Sequence, residues 1–102
     1  MSKLFIALLD TLPPECIAPQ TAHAMAEYAY REPTAFRIWH NTGNIIVVGT
    51  LSLEDLQRLR AELYAVPWTE PDRQDPLTSV AIQPDTEDAW RLVRRIRTRP
   101  GV

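Results

Sequence analysis

Gln20, His23 and Glu27 are spaced i, i+3, i+7, so on a helix they share one face. They follow Asp10 and Cys16 across what reads as a strand–loop–helix junction. The start of a helix offers free N–H groups and the positive end of its dipole, both useful for an anion or a developing oxyanion. Histidine is the side chain best suited to moving a proton near neutral pH. Together these residue types can perform acid–base chemistry on a carbonyl. The plainer reading makes His23 a surface or packing histidine, because no metal motif, triad or glycine-rich loop surrounds it. Cys16 follows Glu15, a poor setting for a reactive thiolate. His40 lies in a polar stretch and would reach a metal with His23 only if that stretch folded back, so no metal site is expected.

The elements that must hold these groups belong to a chain of 102 residues, 45% hydrophobic and 24% charged. That is one domain's worth, too apolar to be disordered, with no internal repeat and no linker. Charge is unevenly placed. Residues 91–102 carry five arginines and no acid, or +5, whereas the first 90 residues carry 6 basic and 13 acidic groups, or −7. An acidic body with a basic C-terminal end argues against whole-chain attraction to nucleic acid and leaves it open for that end. The single cysteine rules out an intrachain disulfide framework. The apolar run Leu4–Leu9 is too short to span a bilayer or to form a typical signal segment, so the expected address is the cytoplasm, without a membrane partner.

Leu4–Leu9 suits a strand buried on both faces. From Pro19 to about Arg31 the pattern is helical, with Ala18, Ala22, Ala26 and Ala29 suggesting a small packing face, ended by Glu32-Pro33. Phe36–Trp39 and Ile45–Gly49 read as two strands joined by the turn His40–Asn44, the β-branched second one as a central strand. Ser52 and Asp55 then form the start of a capped helix, with Leu51 and Leu56 as a hydrophobic staple and Leu53, Leu56, Leu59 and Leu63 as its stripe, ended by Val66-Pro67. Residues 67–76, with three prolines and three acids, read as a surface loop. A strand follows over Leu77–Gln83, then a last helix with Ala89, Trp90, Val93 and Ile96 inward and arginines at its end. The order β-α-β-β-α-loop-β-α implies an α/β fold: a three-layer α/β/α sandwich with a mixed sheet of about four strands.

Ile17-Ala18-Pro19-Gln20-Thr21-Ala22-His23-Ala24 resembles the signature of the type 2 peptidyl-tRNA hydrolases, Gly-Lys-x-Ala-x-Gln-x-x-His-Ala, at the start of their first helix. Further segments are similar in the same order. These are the first strand ending near Asp10, Asn44–Thr50 leading into the Leu51–Leu63 helix, and Leu77–Pro84 as the late strand. The resemblance covers most of the chain, with the Gln-x-x-His-Ala segment and the late strand its specific parts. It implies a mixed sheet flanked by helices, an enzyme that cleaves the ester between a peptide and the tRNA 3′ end, and no metal or cofactor. The family's lysine falls at Cys16 and its glycine at Glu15, and its Asp-Ala-Gly-Arg-Thr segment has no counterpart in Val66–Asp75 beyond Asp72-Arg73.

The resemblance carries Gln20, His23 and Thr78 over as site residues, with Asp72, or failing it Asp75, in place of the family aspartate. In the expected reaction His23 activates water or positions the ester, and Asp72 or Asp10 orients the imidazole. Gln20, Thr78 and helix N–H groups would hold the carbonyl oxygen as it becomes anionic. Arg91, Arg94, Arg95 and Arg97 would meet tRNA phosphates. The competing expectation is a catalytically degenerate binding or regulatory protein on the same fold. There the arginines are a solvated helix end, and Trp68, in the acidic loop, meets a protein partner. Either reading leaves a homodimer open.

Overall fold

A computed structural model of the chain describes residues 3–63, 65–70 and 77–83, together with Arg91 and Arg94. The strands are β1 (Lys3–Leu9), β2 (Ile45–Leu51), β3 (Val66–Thr69) and β4 (Leu77–Ile82). The helices are α1 (Ile17–Arg31), α2 (Pro33–Thr42) and α3 (Leu53–Glu62), with a short 3-10 helix at Pro14–Cys16 before α1. The strands form one open sheet in the order β2-β1-β4-β3. β1 runs parallel to β2 and antiparallel to β4, and β3 is antiparallel to β4. This is a single α/β domain with a mixed four-stranded sheet.

β1 is the strand that sets the layers. Its residues 4–9 are all buried, because both faces are covered. Phe5, Ala7 and Leu9 point to the side where Leu56 and Leu59 of α3 pack. Leu4, Ile6 and Leu8 point to the side of Ala24 and Tyr28 of α1 and Trp39 of α2. The capped helix forms as its sequence dictates. Ser52 Oγ accepts from the Asp55 N–H at 3.2 Å, and Leu51 and Leu56 are both fully buried. α3 stops at Glu62, short of the Val66-Pro67 boundary.

Four expectations about the elements need correction. Phe36–Trp39 is not a strand but the centre of α2. Pro33 starts that helix in its first turn, where the missing N–H costs nothing, and Ala35, Phe36 and Trp39 then share one face against the core. The Trp39 indole N–H donates to Ile45 O at 2.8 Å, which satisfies the one polar atom of a buried ring. The stretch His40–Asn44 is therefore not a hairpin turn but a helix end. Gly43 and Asn44 N–H groups both return to Trp39 O, and it is Asn44, at φ 54°, that takes the left-handed conformation. α1 and α2 lie between β1 and β2, a crossover long enough for the two strands to run parallel.

β2 is an edge strand, not a central one. Its β-branched run is covered only on the α3 side, where Val47 and Leu51 pack, while Ile46 and Val48 remain 40% and 43% exposed. Val66–Thr69, expected in the loop, is the other edge strand. An edge tolerates Pro67, since no ladder bond is lost on the open side. The expected last helix falls outside the described residues except at Arg91 and Arg94, which are helical and exposed. Among the described residues, no helix is long and apolar enough to cross a membrane.

Candidate functional site

The buried face of α1 is not the alanine face. Ala18, Ala22 and Ala26 are exposed, and Gln20, Ala24 and Tyr28 point inward instead. Two polar residues can occupy that face because each finds a partner. The Tyr28 hydroxyl donates to Gln83 Oε1 at 2.9 Å, and Gln20, only 8% exposed, is bonded at both ends of its amide.

The Thr78 hydroxyl donates to Gln20 Oε1 at 2.9 Å, and Gln20 Nε2 donates to Glu70 Oε1 at 2.8 Å. The Trp68 indole N–H donates to the same Glu70 oxygen at 2.9 Å. Trp68 O lies 3.4 Å from Thr78 Oγ1, a second and longer acceptor for the hydroxyl proton. Residues 58 positions apart in the chain thus form one connected polar line: Thr78, Gln20, Glu70, Trp68. An ionised Glu70 only accepts, so it fixes the amide with Nε2 toward itself and Oε1 toward Thr78. Successive bonds polarise one another, so a carboxylate at one end strengthens the pull of Gln20 Oε1 on the Thr78 proton.

A register shift makes this possible. Trp68 pairs with Ser79 and Thr69 with Leu77, which leaves Thr78 as one extra residue on β4. Strict alternation would put Thr78 on the α3 side with Val80 and Ile82, and Leu77 on the α1 side. Leu77 instead joins the α3-side core, and Thr78 reaches Gln20 on α1. The bulge re-aims a single hydroxyl across the sheet. Beside it, Ser79 Oγ is buried without a hydrogen-bond partner among the described residues.

His23 sits one helical turn beyond Gln20, exposed, with its ring stacked on Trp68: centroids 4.8 Å apart, planes 10° apart. It makes no hydrogen bond or ion pair among the described residues. Asp10 lies exposed just after β1, its N–H donating to Leu51 O, and its carboxylate does not reach His23. Asp72 and Asp75 lie outside the described residues, as do Arg95 and Arg97. The carboxylate that the structure does bring to the site is Glu70, which sequence reasoning passed over. The signal for it was its place two residues after Trp68, at the end of what proves to be a strand.

The start of α1 offers fewer donors than a free helix end. The 3-10 turn before it uses the Cys16 and Ile17 N–H groups on Pro13 O and Pro14 O, and Pro19 has none to give. Cys16 is a half-buried free thiol at the end of that 3-10 turn, in the N-cap position of α1. His40 is in the last turn of α2, its Nδ1 3.1 Å from Asn41 Oδ1. Among the described residues no group of three His, Cys, Asp or Glu side chains is placed to hold a metal ion. The fold and the site therefore define an α/β domain with a hydroxyl–amide–carboxylate line beside a histidine. Comparison with protein-family models and with curated proteins finds no match.

Proposed function

We propose that this chain is an ester hydrolase of the peptidyl-tRNA hydrolase type, acting in the cytoplasm on the bond between a peptide and the tRNA 3′ end. The observation that carries the reading is the Thr78–Gln20 hydrogen bond. It joins the two segments that most specifically resemble that family, and a bulge exists at the one residue needed to make it. Glu70 supplies the carboxylate that holds the Gln20 amide.

In this reading Glu70 holds the Gln20 amide, and the second N–H of Gln20 donates to the ester carbonyl as charge develops on its oxygen. Thr78, fully buried, holds the Gln20 amide from behind through its hydroxyl proton and so positions it. His23 accepts the proton that the attacking water releases and returns it to the ribose oxygen as the ester C–O bond breaks, leaving the peptide acid and a free tRNA 3′ end. Arg91, Arg94, Arg95 and Arg97 meet backbone phosphates, so binding weakens steeply as salt rises. The test is turnover of peptidyl-tRNA by the purified chain. Hydrolysis that Gln20→Ala and Thr78→Val each lower 10²-fold or more supports the reading. Hydrolysis at background, unchanged in His23→Ala, ends it.

A binding protein on the same fold is the second reading, favoured by His23, which has no carboxylate partner among the described residues. It predicts tRNA binding or capture of a protein partner at the Trp68 side without turnover.

A further inference from the structure

The stacked pair His23–Trp68 has no role in the proton chemistry that its geometry explains. Aromatic neighbours packed for burial alone adopt tilted arrangements as readily as parallel ones, and the core pairs here, Tyr28–Phe36 and Phe36–Trp39, are inclined at 57° and 48°. His23 and Trp68 are within 10° of parallel, and they stand at the sheet edge, not in the core. Trp68 is half-buried and held by its N–H on Glu70, so its plane is fixed. His23 covers one face of that indole and is itself exposed, which leaves its outer face to solvent.

We propose that the outer face of His23, backed by Trp68, is a stacking platform for a nucleobase, the base of the terminal nucleotide that carries the ester. The identity of the base rests on the hydrolase reading; the platform itself rests on the ring geometry. A third flat ring extends the existing stack without moving either residue, so little ordering cost falls on binding. The placement suits the chemistry. Trp68 and Gln20 donate to the same Glu70 oxygen, so the platform and the Thr78–Gln20 pair are immediate neighbours. In an acylated terminal nucleotide the ester is on the ribose, next to the base. A base seated on His23 therefore brings its own ester to Gln20 and Thr78. Stacking reads any base by its π-face and contributes about 1–3 kcal/mol per base, or roughly 5- to 150-fold in affinity.

The experiment titrates adenosine 5′-monophosphate into the full chain and follows the ring protons of His23 by proton NMR, assigned against a His40→Ala variant. The expected result is a saturable upfield ring-current shift on His23 that ribose 5-phosphate does not produce. His23→Ala should weaken binding at least fivefold, and His23→Phe, which keeps a flat ring, should restore most of it. Equal shifts from ribose 5-phosphate, or His23→Phe as weak as His23→Ala, overturn the platform. Tighter binding of N-acetylphenylalanine amide with the same shifts overturns the nucleobase in favour of a peptide side chain. Peptidyl-tRNA turnover, measured in parallel, separates the two proposals. Nucleotide binding without turnover keeps the platform and removes the hydrolase reading, whereas turnover without the His23 shift does the reverse.

Discussion

Replacing Thr78 by valine exchanges a hydroxyl for a methyl of nearly the same volume, so no cavity forms and the loss is the hydrogen bond alone. Thr78 is fully buried and Gln20 is 8% exposed, so water cannot take the vacated place on Gln20 Oε1. An acceptor stranded in this way costs about 1–3 kcal/mol. The partner substitution, Gln20→Leu, should cost less for the Thr78 side. The freed hydroxyl can turn to Trp68 O, now at 3.4 Å, and needs only a small closing to bond it. The double variant has neither group left unmatched. Its cost should therefore fall short of the sum of the singles by about 0.5–2 kcal/mol. Urea unfolding read by circular dichroism measures all four proteins, and Thr78→Val should lower the midpoint by roughly 0.5 M or more at an unchanged slope. Additivity within about 0.3 kcal/mol would refute the argument, because the two side chains would then not be bonded in solution.

Ser52→Ala removes the side-chain acceptor of the Asp55 N–H and should destabilise the fold by about 1 kcal/mol, seen as a lower thermal midpoint. Leu56→Ala opens the α3-side core and should cost about 2–5 kcal/mol in the same unfolding assay. Ile46→Lys, on the open face of an edge strand, should change stability by no more than about 0.5 kcal/mol; a loss of several kcal/mol would return β2 to the centre of a covered sheet. Trp39→Phe strands Ile45 O at the start of β2 and should cost about 1–3 kcal/mol, checked by urea titration.

The parts of the fold written in local chemistry were legible in the sequence. Ser52 with Asp55 and the Leu51–Leu56 staple mark the start of α3, and the unbroken run Leu4–Leu9 marks a strand with two covered faces. What escaped depends on the third dimension. Phe36-Arg37-Ile38-Trp39 is short, aromatic and β-branched enough to pass for a strand, and it is the packing of Phe36 and Trp39 on one helical face against the core that tells otherwise. The run Ile45–Val48 says nothing about how many neighbours it has in the sheet. Polar residues at Gln20 and Tyr28 hid the true inner face of α1, because their partners lie 50 or more residues away. The helical spacing marks Gln20 and His23, the resemblance adds Thr78, and the structure brings all three to the Trp68–Glu70 strand end. Glu70 was missed since an acid in a proline-rich stretch reads as solvated until that stretch pairs as β3.

The extra residue in β4 has a consequence for how this fold can change over time. A side chain inside a regular strand is bound to its alternation: altering it alters whichever core it faces. Thr78 stands outside that two-beat count, and the flanking Leu77 and Val80 both serve the α3-side core whatever occupies the position between Leu77 and Ser79. Chemistry at position 78 can therefore be exchanged, weakened or regained while both packed layers stay as they are. The polar line can change at one address, and the two layers around it do not register the move.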